Sequence, residues 1–180
     1  MQRARFAFVA LVAILAAPPP ARATVYYARD EAVKLAFPDA DRVETRDLFL
    51  TAAQRAAIED RAKSKIESDL LTVYVGHRGD ELLGYAVFDT HLVRTLPETF
   101  LVVLTPDGKV AATHLLAFYE PTEYAPPPRW LAQFADVGLT DDLRVGRGIA
   151  AITGSTLTSN AVTGGIRRAL AIYEIALKQD

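Results

Sequence analysis

From Gly146 to Asn160 the chain reads Gly-Arg-Gly-Ile-Ala-Ala-Ile-Thr-Gly-Ser-Thr-Leu-Thr-Ser-Asn, with hydroxyls at Thr153, Ser155, Thr156, Thr158 and Ser159 crowded around Gly154. An apolar-periodic segment follows directly. Unpaired N–H groups at a helix start, together with the positive end of the helix dipole, favour an anion by roughly 0.3–2 kcal/mol. Ordinary capping is the competing reading, but it needs only one such hydroxyl. The stretch is not a P-loop, because no Gly-Lys-Ser/Thr follows the first glycine at the required spacing. Other chemistry-bearing residues are scattered. His77, His91 and His114 fall on a turn, a loop and a strand, which is no metal-ligand pattern and assigns them to surface or core. Arg94 and Glu98 flank Thr95-Leu96-Pro97 and either line a cleft between strands or form an exposed ion pair. Glu120 and Glu123 share one loop, unlike the carboxylates of glycosidases, which come from separate elements.

The hydroxyl-rich stretch needs a helix behind it. Val162, Ile166, Leu170, Tyr173 and Leu177 recur at intervals of three or four, one face of a helix from about Ser159 to Lys178 with Ser159 or Asn160 as N-cap. Gly164-Gly165 inside it costs about 1 kcal/mol per glycine against alanine, which suggests close approach of the helix backbone to something. Upstream, Tyr26–Phe37 reads as a helix stopped by Pro38. Arg42–Leu50 reads as a strand. Thr51 and Gln54 form a capping box opening a helix to about Ile66. Leu70–Val75 and Glu81–Asp89 form a hairpin about His77-Arg78-Gly79-Asp80. Thr99–Leu104 and Val110–Phe118 are strands around the Pro106-Asp107-Gly108 turn. A proline-rich loop from Tyr119 to Arg129 leads into a short helical turn at Trp130–Phe134. The sum is one α+β domain: a twisted, mainly antiparallel sheet packed with helices, the longest at the C-terminus.

Composition narrows the class. The chain has 180 residues, 51% hydrophobic, 23% charged, a formal charge of −2 and no cysteine. That length and apolar content fit one globular domain. Nucleic acid is excluded as a partner by the lack of a basic field. Iron–sulfur clusters, thiolate metal sites and disulfides are excluded by the lack of cysteine. Arg3 and Arg5, an apolar run from Phe6 to Ala17, and Ala21-Arg22-Ala23 form a secretory signal over residues 1–23. Three prolines end the apolar run well short of the ~20 residues that span a bilayer. A periplasmic domain over residues 24–180 is the expectation.

The run Thr153-Gly154-Ser155-Thr156-Leu157-Thr158-Ser159 also resembles a family motif, Asp-x-x-Ser/Thr-Gly-Ala-Thr-x-Thr-Ser followed by a helix. It is that of the FMN-binding domain in subunits of sodium-pumping NADH:quinone reductase and Rnf electron-transport complexes. Weaker likeness extends over about residues 70–177, through Gly84-Tyr85, Pro106-Asp107-Gly108-Lys109 and Glu120-Pro121-Thr122-Glu123. The resemblance implies FMN esterified through its phosphate to Thr156, with Thr153, Gly154, Ser155, Leu157, Thr158 and Ser159 shaping the phosphate cradle. It implies no catalytic residue and no metal, but a redox carrier working within an oxidoreductase system. The partners implied are a membrane-bound electron donor or acceptor and a flavin transferase. Tyr119, Tyr124 and Trp130 are candidates to stack on or gate the flavin ring, or else pack in the core or loops. Two positions depart from the motif: Ala150 replaces its acidic residue and Ser155 its alanine. The first keeps open a second reading, a module that holds FMN or another ligand non-covalently, as sensor or structural partner. A third has the hydroxyl-rich stretch only capping a helix.

Overall fold

The computed structural model describes residues 24–178; the expected signal segment, residues 1–23, lies outside them. The strands are β1 (Thr24–Val25), β2 (Arg42–Phe49), β3 (Leu70–Arg78), β4 (Glu81–Leu92), β5 (Pro97–Leu104) and β6 (Val110–Phe118). They form one antiparallel sheet in the order β1-β6-β5-β4-β3-β2. Short turns join β3 to β6 as a meander, and β1 closes on the outer edge of β6. The helices are α1 (Arg29–Ala36), α2 (Ala52–Ala62), α3 (Pro128–Leu131) and α4 (Thr156–Ile172). The expected α+β architecture with a long C-terminal helix is what the chain adopts.

Both faces of the sheet are covered, which explains why its central strands read as apolar runs rather than alternating ones. Val73, Val75, Tyr85, Val87, Phe100, Val102 and Leu104 face α2 and α4 in the larger core. The alternate residues Tyr74, Ala86, Leu101 and Val103 face α1 with Ala32 and Phe37. Trp130, Leu131 and Phe134 bring α3 and the turn after it into the larger core.

Several boundaries differ from the sequence reading. The first helix begins at Arg29, three residues later than Tyr26, because Tyr26 and Tyr27 give their N–H groups to Leu116 on the edge of β6. The capping box of α2 forms as expected, Gln54 N–H to Thr51 Oγ1 at 3.2 Å and Thr51 N–H to Gln54 Oε1 at 3.0 Å. That helix ends at Ala62 rather than Ile66, with Lys63 in the left-handed region at φ 53°. Glu59 then accepts the N–H of Ile66 at 3.0 Å, so Ile66 stays in the core without helical backbone. β3 and β4 extend through the expected turn residues to Arg78 and Glu81, leaving Gly79-Asp80 as the tip. The last helix begins at Thr156, three residues ahead of the expected start, and closes with one π-helical turn at Tyr173–Leu177. Its first turn is polar, so the apolar period that locates a helix starts only at Val162.

At Gly165, α4 packs against the Asp89 side chain of β4. A Cβ there would meet Asp89 Oδ1 at 2.6 Å and Cγ at 3.0 Å, whereas the nearest atom to one on Gly164 would be the Ser64 hydroxyl at 3.4 Å. Gly165→Ala is therefore expected to cost about 1–3 kcal/mol by overpacking, despite its better helix propensity. Gly164→Ala is expected to be neutral or stabilising by up to about 1 kcal/mol. Urea unfolding of the two variants side by side checks the asymmetry.

Candidate functional site

Helix α4 presents its first turn to a cavity, and that turn is not capped from within. The N-cap residue Ser155 makes no side-chain capping bond. Its carbonyl accepts the N–H of Ser159 at 3.0 Å, the first N–H of the helix to find a partner. The N–H groups of Thr156, Leu157 and Thr158 have no partner among the described residues. The contrast with α2, whose Thr51 hydroxyl caps the N–H of Gln54, is local chemistry. Ser159 and Thr163 turn their hydroxyls back to the carbonyls of Ser155 (3.0 Å) and Ser159 (2.7 Å), so neither serves the helix start.

The cavity holds about 200 Å³ and is lined by Gly154, Ser155, Thr156, Leu157 and Thr158, with Val93, Arg94, Glu120 and Tyr124 opposite. Glu120 positions that opposite wall. Its Oε1 accepts the N–H groups of Thr95 and Leu96, both at 3.0 Å, and fixes the β4–β5 turn that carries Arg94. These bonds, with the N–H of Arg94 and its charge, hold the Glu120 carboxyl below the usual range against a smaller cost of burial. Three free N–H donors, an exposed threonine hydroxyl and an arginine around one hollow suit an oxyanion. Whole small-molecule ligands usually occupy about 300–1,000 Å³. This hollow therefore fits the phosphate end of FMN rather than the whole molecule.

Of the cradle residues read from the sequence, Gly154, Ser155, Thr156, Leu157 and Thr158 come together here. Thr153 is exposed on the preceding turn and outside the lining. Ser159 is fully buried behind it, where its Oγ accepts the N–H of Ile152 at 2.9 Å and buckles the loop onto the helix. Tyr124 lines the cavity and Tyr119 does not. Trp130 is in the core, edge-on to Phe134, and its Nε1–H donates to the Ala150 carbonyl at 2.6 Å. Gln133 accepts the Ala150 N–H at 2.9 Å. The position that departs from the family motif is thus held at both backbone groups.

The arrangement of charged residues corrects one expectation and adds a cluster. Arg94 and Glu98 do not form an exposed pair: Arg94 lines the cavity and Glu98 is fully buried. His91, read as a loop residue, sits in β4 between Asp89 Oδ1 (2.5 Å from Nδ1) and Glu98 Oε1 (2.6 Å from Nε2). Arg168 on α4 clasps Asp89 through Nε (2.8 Å) and Nη2 (2.6 Å). Burial opposes charge on His91, yet its bonds to the two carboxylates raise its pKa to about 9. Burial also opposes charge on Asp89, and the bonds from His91 and Arg168 carry its pKa down to about 2. The signal for this cluster was present in the sequence. Asp89 and His91 continue the Tyr85–Val87 face, and Glu98 continues the Phe100–Val102–Leu104 face, as polar residues at core-facing positions. No group of three or more His, Asp or Glu among the described residues is arranged to hold a metal ion.

No protein-family model matches the chain. It is 27% identical over 151 residues to a component of the Na(+)-translocating ferredoxin:NAD(+) oxidoreductase complex of Acetobacterium woodii, with 73% of each chain covered. Its fold is similar to the crystal structure of NqrC from Shewanella oneidensis, with a TM-score of 0.57 and 16% identity over 77% of this chain and 84% of that one. The sequence likeness bears out the resemblance to the FMN-binding-domain family, and the structural likeness bears out the fold.

The His91 cluster sets a stability profile. An imidazole with an ordinary pKa of 6.5 and a folded value of about 9 contributes fully below 6.5 and loses that contribution as pH rises through 9. Asp89 contributes fully above its ordinary 3.8 and loses its share as pH falls through about 2. The unfolding free energy should fall between about pH 6.5 and 9 by on the order of 2–3 kcal/mol. His91→Gln should flatten that decline in denaturant titrations across the same range.

Proposed function

We propose that this chain is an exported, FMN-carrying electron-transfer subunit, its flavin phosphate esterified to Thr156. The observation that carries the reading is the uncapped start of α4, where free N–H groups, the Thr156 hydroxyl and Arg94 surround one hollow. Likeness to a component of a Na(+)-translocating oxidoreductase complex and to NqrC supports placing it beside a membrane-bound electron donor or acceptor. The Arg3–Arg5, Phe6–Ala17 and Ala21-Arg22-Ala23 pattern supports work in the periplasm.

When bound, the flavin supplies the redox chemistry. The protein's part is to hold and orient it. N–H groups of Thr156, Leu157 and Thr158 meet the phosphate oxygens, Arg94 balances their charge, and Glu120 keeps Arg94 in place. An ester at Thr156 retains a cofactor that a non-covalent site would lose by dilution outside the cell. Forming that ester assigns the chain a flavin transferase as partner.

A second reading, FMN held without the ester, is favoured by Ala150. Trp130 and Gln133 hold its backbone, and its methyl offers no carboxylate where the family motif has one. Protein exported together with a flavin transferase should be yellow, with an intact mass raised by FMN less one water and fluorescence that stays with the chain on denaturing electrophoresis. Thr156→Val should abolish the mass increment. A colourless, unmodified wild type would refute electron carriage, and yellow protein that loses its colour on denaturation would establish the second reading. In the unmodified chain, Arg94→Gln should weaken binding of free FMN about tenfold, about 1.4 kcal/mol, by removing a charge-assisted contact.

A further inference from the structure

The face of the sheet beneath α4 changes character at one end. Along β4 it runs Tyr85, Val87, Asp89, His91, and along β5 it runs Leu104, Val102, Phe100, Glu98, with His91 directly opposite Glu98 in the register. The apolar core therefore ends in a row of carboxylate, imidazole and carboxylate. Asp89 is fully served by His91 and Arg168. Glu98 is not: its side chain is fully buried, Oε1 takes the single bond from His91, and Oε2 has no hydrogen-bond partner. A carboxylate oxygen stripped of water and given no donor is a costly way to bury a charge, and it is the one carboxylate oxygen of the row left without a partner.

This row lies next to the cavity at Thr156. The Glu120 carboxylate, part of the cavity wall, binds the N–H of Leu96 at 3.0 Å. Leu96 is two residues from Glu98, at most about 7 Å along extended chain. Tyr119 N–H also bonds the Pro97 carbonyl at 3.2 Å, tying the two segments together. At the opposite end, a second hollow of about 230 Å³ is lined by Asp89, His91 and Arg168, with Lys65, Glu67 and Ser68 at its rim. The row thus connects a solvent-facing hollow with the neighbourhood of the cavity.

We propose that Glu98 Oε2 is a proton-binding site that fills when a flavin anchored at Thr156 takes up an electron, coupling electron transfer in this subunit to proton uptake by the protein. The proposal rests on the flavin reading above. One electron comes from a one-electron donor of the membrane-complex class, and one proton comes from water. The proton forms an O–H bond at Oε2 and neutralises the Glu98 carboxylate; no protein bond breaks, and the net charge of cofactor plus protein is unchanged. Oε2 rather than Oε1 takes this proton, because Oε1 already accepts from the Nε2–H of His91 and Oε2 accepts from nothing. The charges facing Glu98 are set for this exchange: burial disfavours its ionised form, as do Asp89 and Glu120, while His91 favours it. Added negative charge tips that balance toward the acid. A cluster that merely clamps α4 would not respond to it.

Redox-difference infrared spectroscopy and proton-uptake titration of the FMN-loaded wild type and Glu98→Gln test the assignment. Reduction of the wild type should produce the carbonyl band of a protonated carboxylic acid, and that band should be lost in Glu98→Gln. The wild type should also consume one proton per electron more than the variant. Equal proton uptake, or a band that survives in Glu98→Gln, overturns the proposal even if the variant is less stable. If Glu98→Gln does not fold, Glu98→Asp should shift the same band, and an unshifted band overturns the assignment. Acid titration of the flavin-free chain separates the two readings. A Glu98 band titrating above the ordinary carboxylate range supports the site, and its absence overturns it. A chain that shows this band yet accepts no flavin overturns the Thr156 reading and leaves the proton site standing.

Discussion

The position of α4 depends on two adjacent arginines that reach in different directions. Arg167 is 3% exposed, and its guanidinium donates to the carbonyls of Ala62 (2.7 Å), Arg61 (3.1 Å), Thr140 (2.7 Å) and Leu143 (3.1 Å). It thereby serves as the C-terminal cap of α2, where the negative end of that helix's dipole favours a cation. Burial and the charges of Arg144 and Arg61 lower its pKa from that of an ordinary guanidinium. Arg168, one position on, clasps Asp89 on β4 and donates to the Ser64 hydroxyl at 2.5 Å. The first arginine fixes α4 against α2 and the loop near residue 140; the second fixes it against the sheet. With both in place the helix has no freedom to roll, and its first turn is aimed.

What that aim achieves is seen in the supports around Thr156. Ser159 ties Ile152 to the helix, and Trp130 and Gln133 hold Ala150, so the approach to the first turn is braced without any of its N–H groups being used. The Thr51–Gln54 box of α2 serves one such donor, the N–H of Gln54, whereas the first turn of α4 leaves all of its donors free. Leaving them free while bracing everything around them is the geometry of a site organised in advance of its ligand.

The sheet was legible because its signals are local. Apolar β-branched runs and the Pro-Asp-Gly turn place the starts of β3 and β4, the end of β5 and the whole of β6, but miss the polar ends of β3 and β4 and the first two residues of β5; the Thr51–Gln54 box marks the start of α2. The start of α4 was less legible for a physical reason. Its first turn faces a polar cavity, so the apolar period begins at Val162, and Ser159 looks like a cap when it is a buried buckle. The cradle was readable as a cluster of hydroxyls, but which of them reach the cavity is a matter of helix phase. The His91 row was missed because its members come from two strands and a helix, 77 positions apart between His91 and Arg168. Only the register of β4 on β5 brings them together.

Most of this chain obeys the rules of a stable domain: both faces of the sheet are covered, α2 is capped at both ends, and central strands are apolar. Two departures bear on the site, the uncapped turn of α4 and the unserved oxygen of Glu98; His77 Nε2 and Thr113 Oγ1 are also buried without a partner, and α1 too starts without a side-chain cap. Each of the two costs free energy, and nothing in the packing requires either. A sequence selected for stability alone would remove them independently, with a capping residue in one place and a hydrophobic residue in the other. Instead both lie at the same end of the α4–sheet interface, joined through Glu120, which touches the β4–β5 turn and the cavity at once. One departure offers donors to an anion, and the other offers a base to a proton.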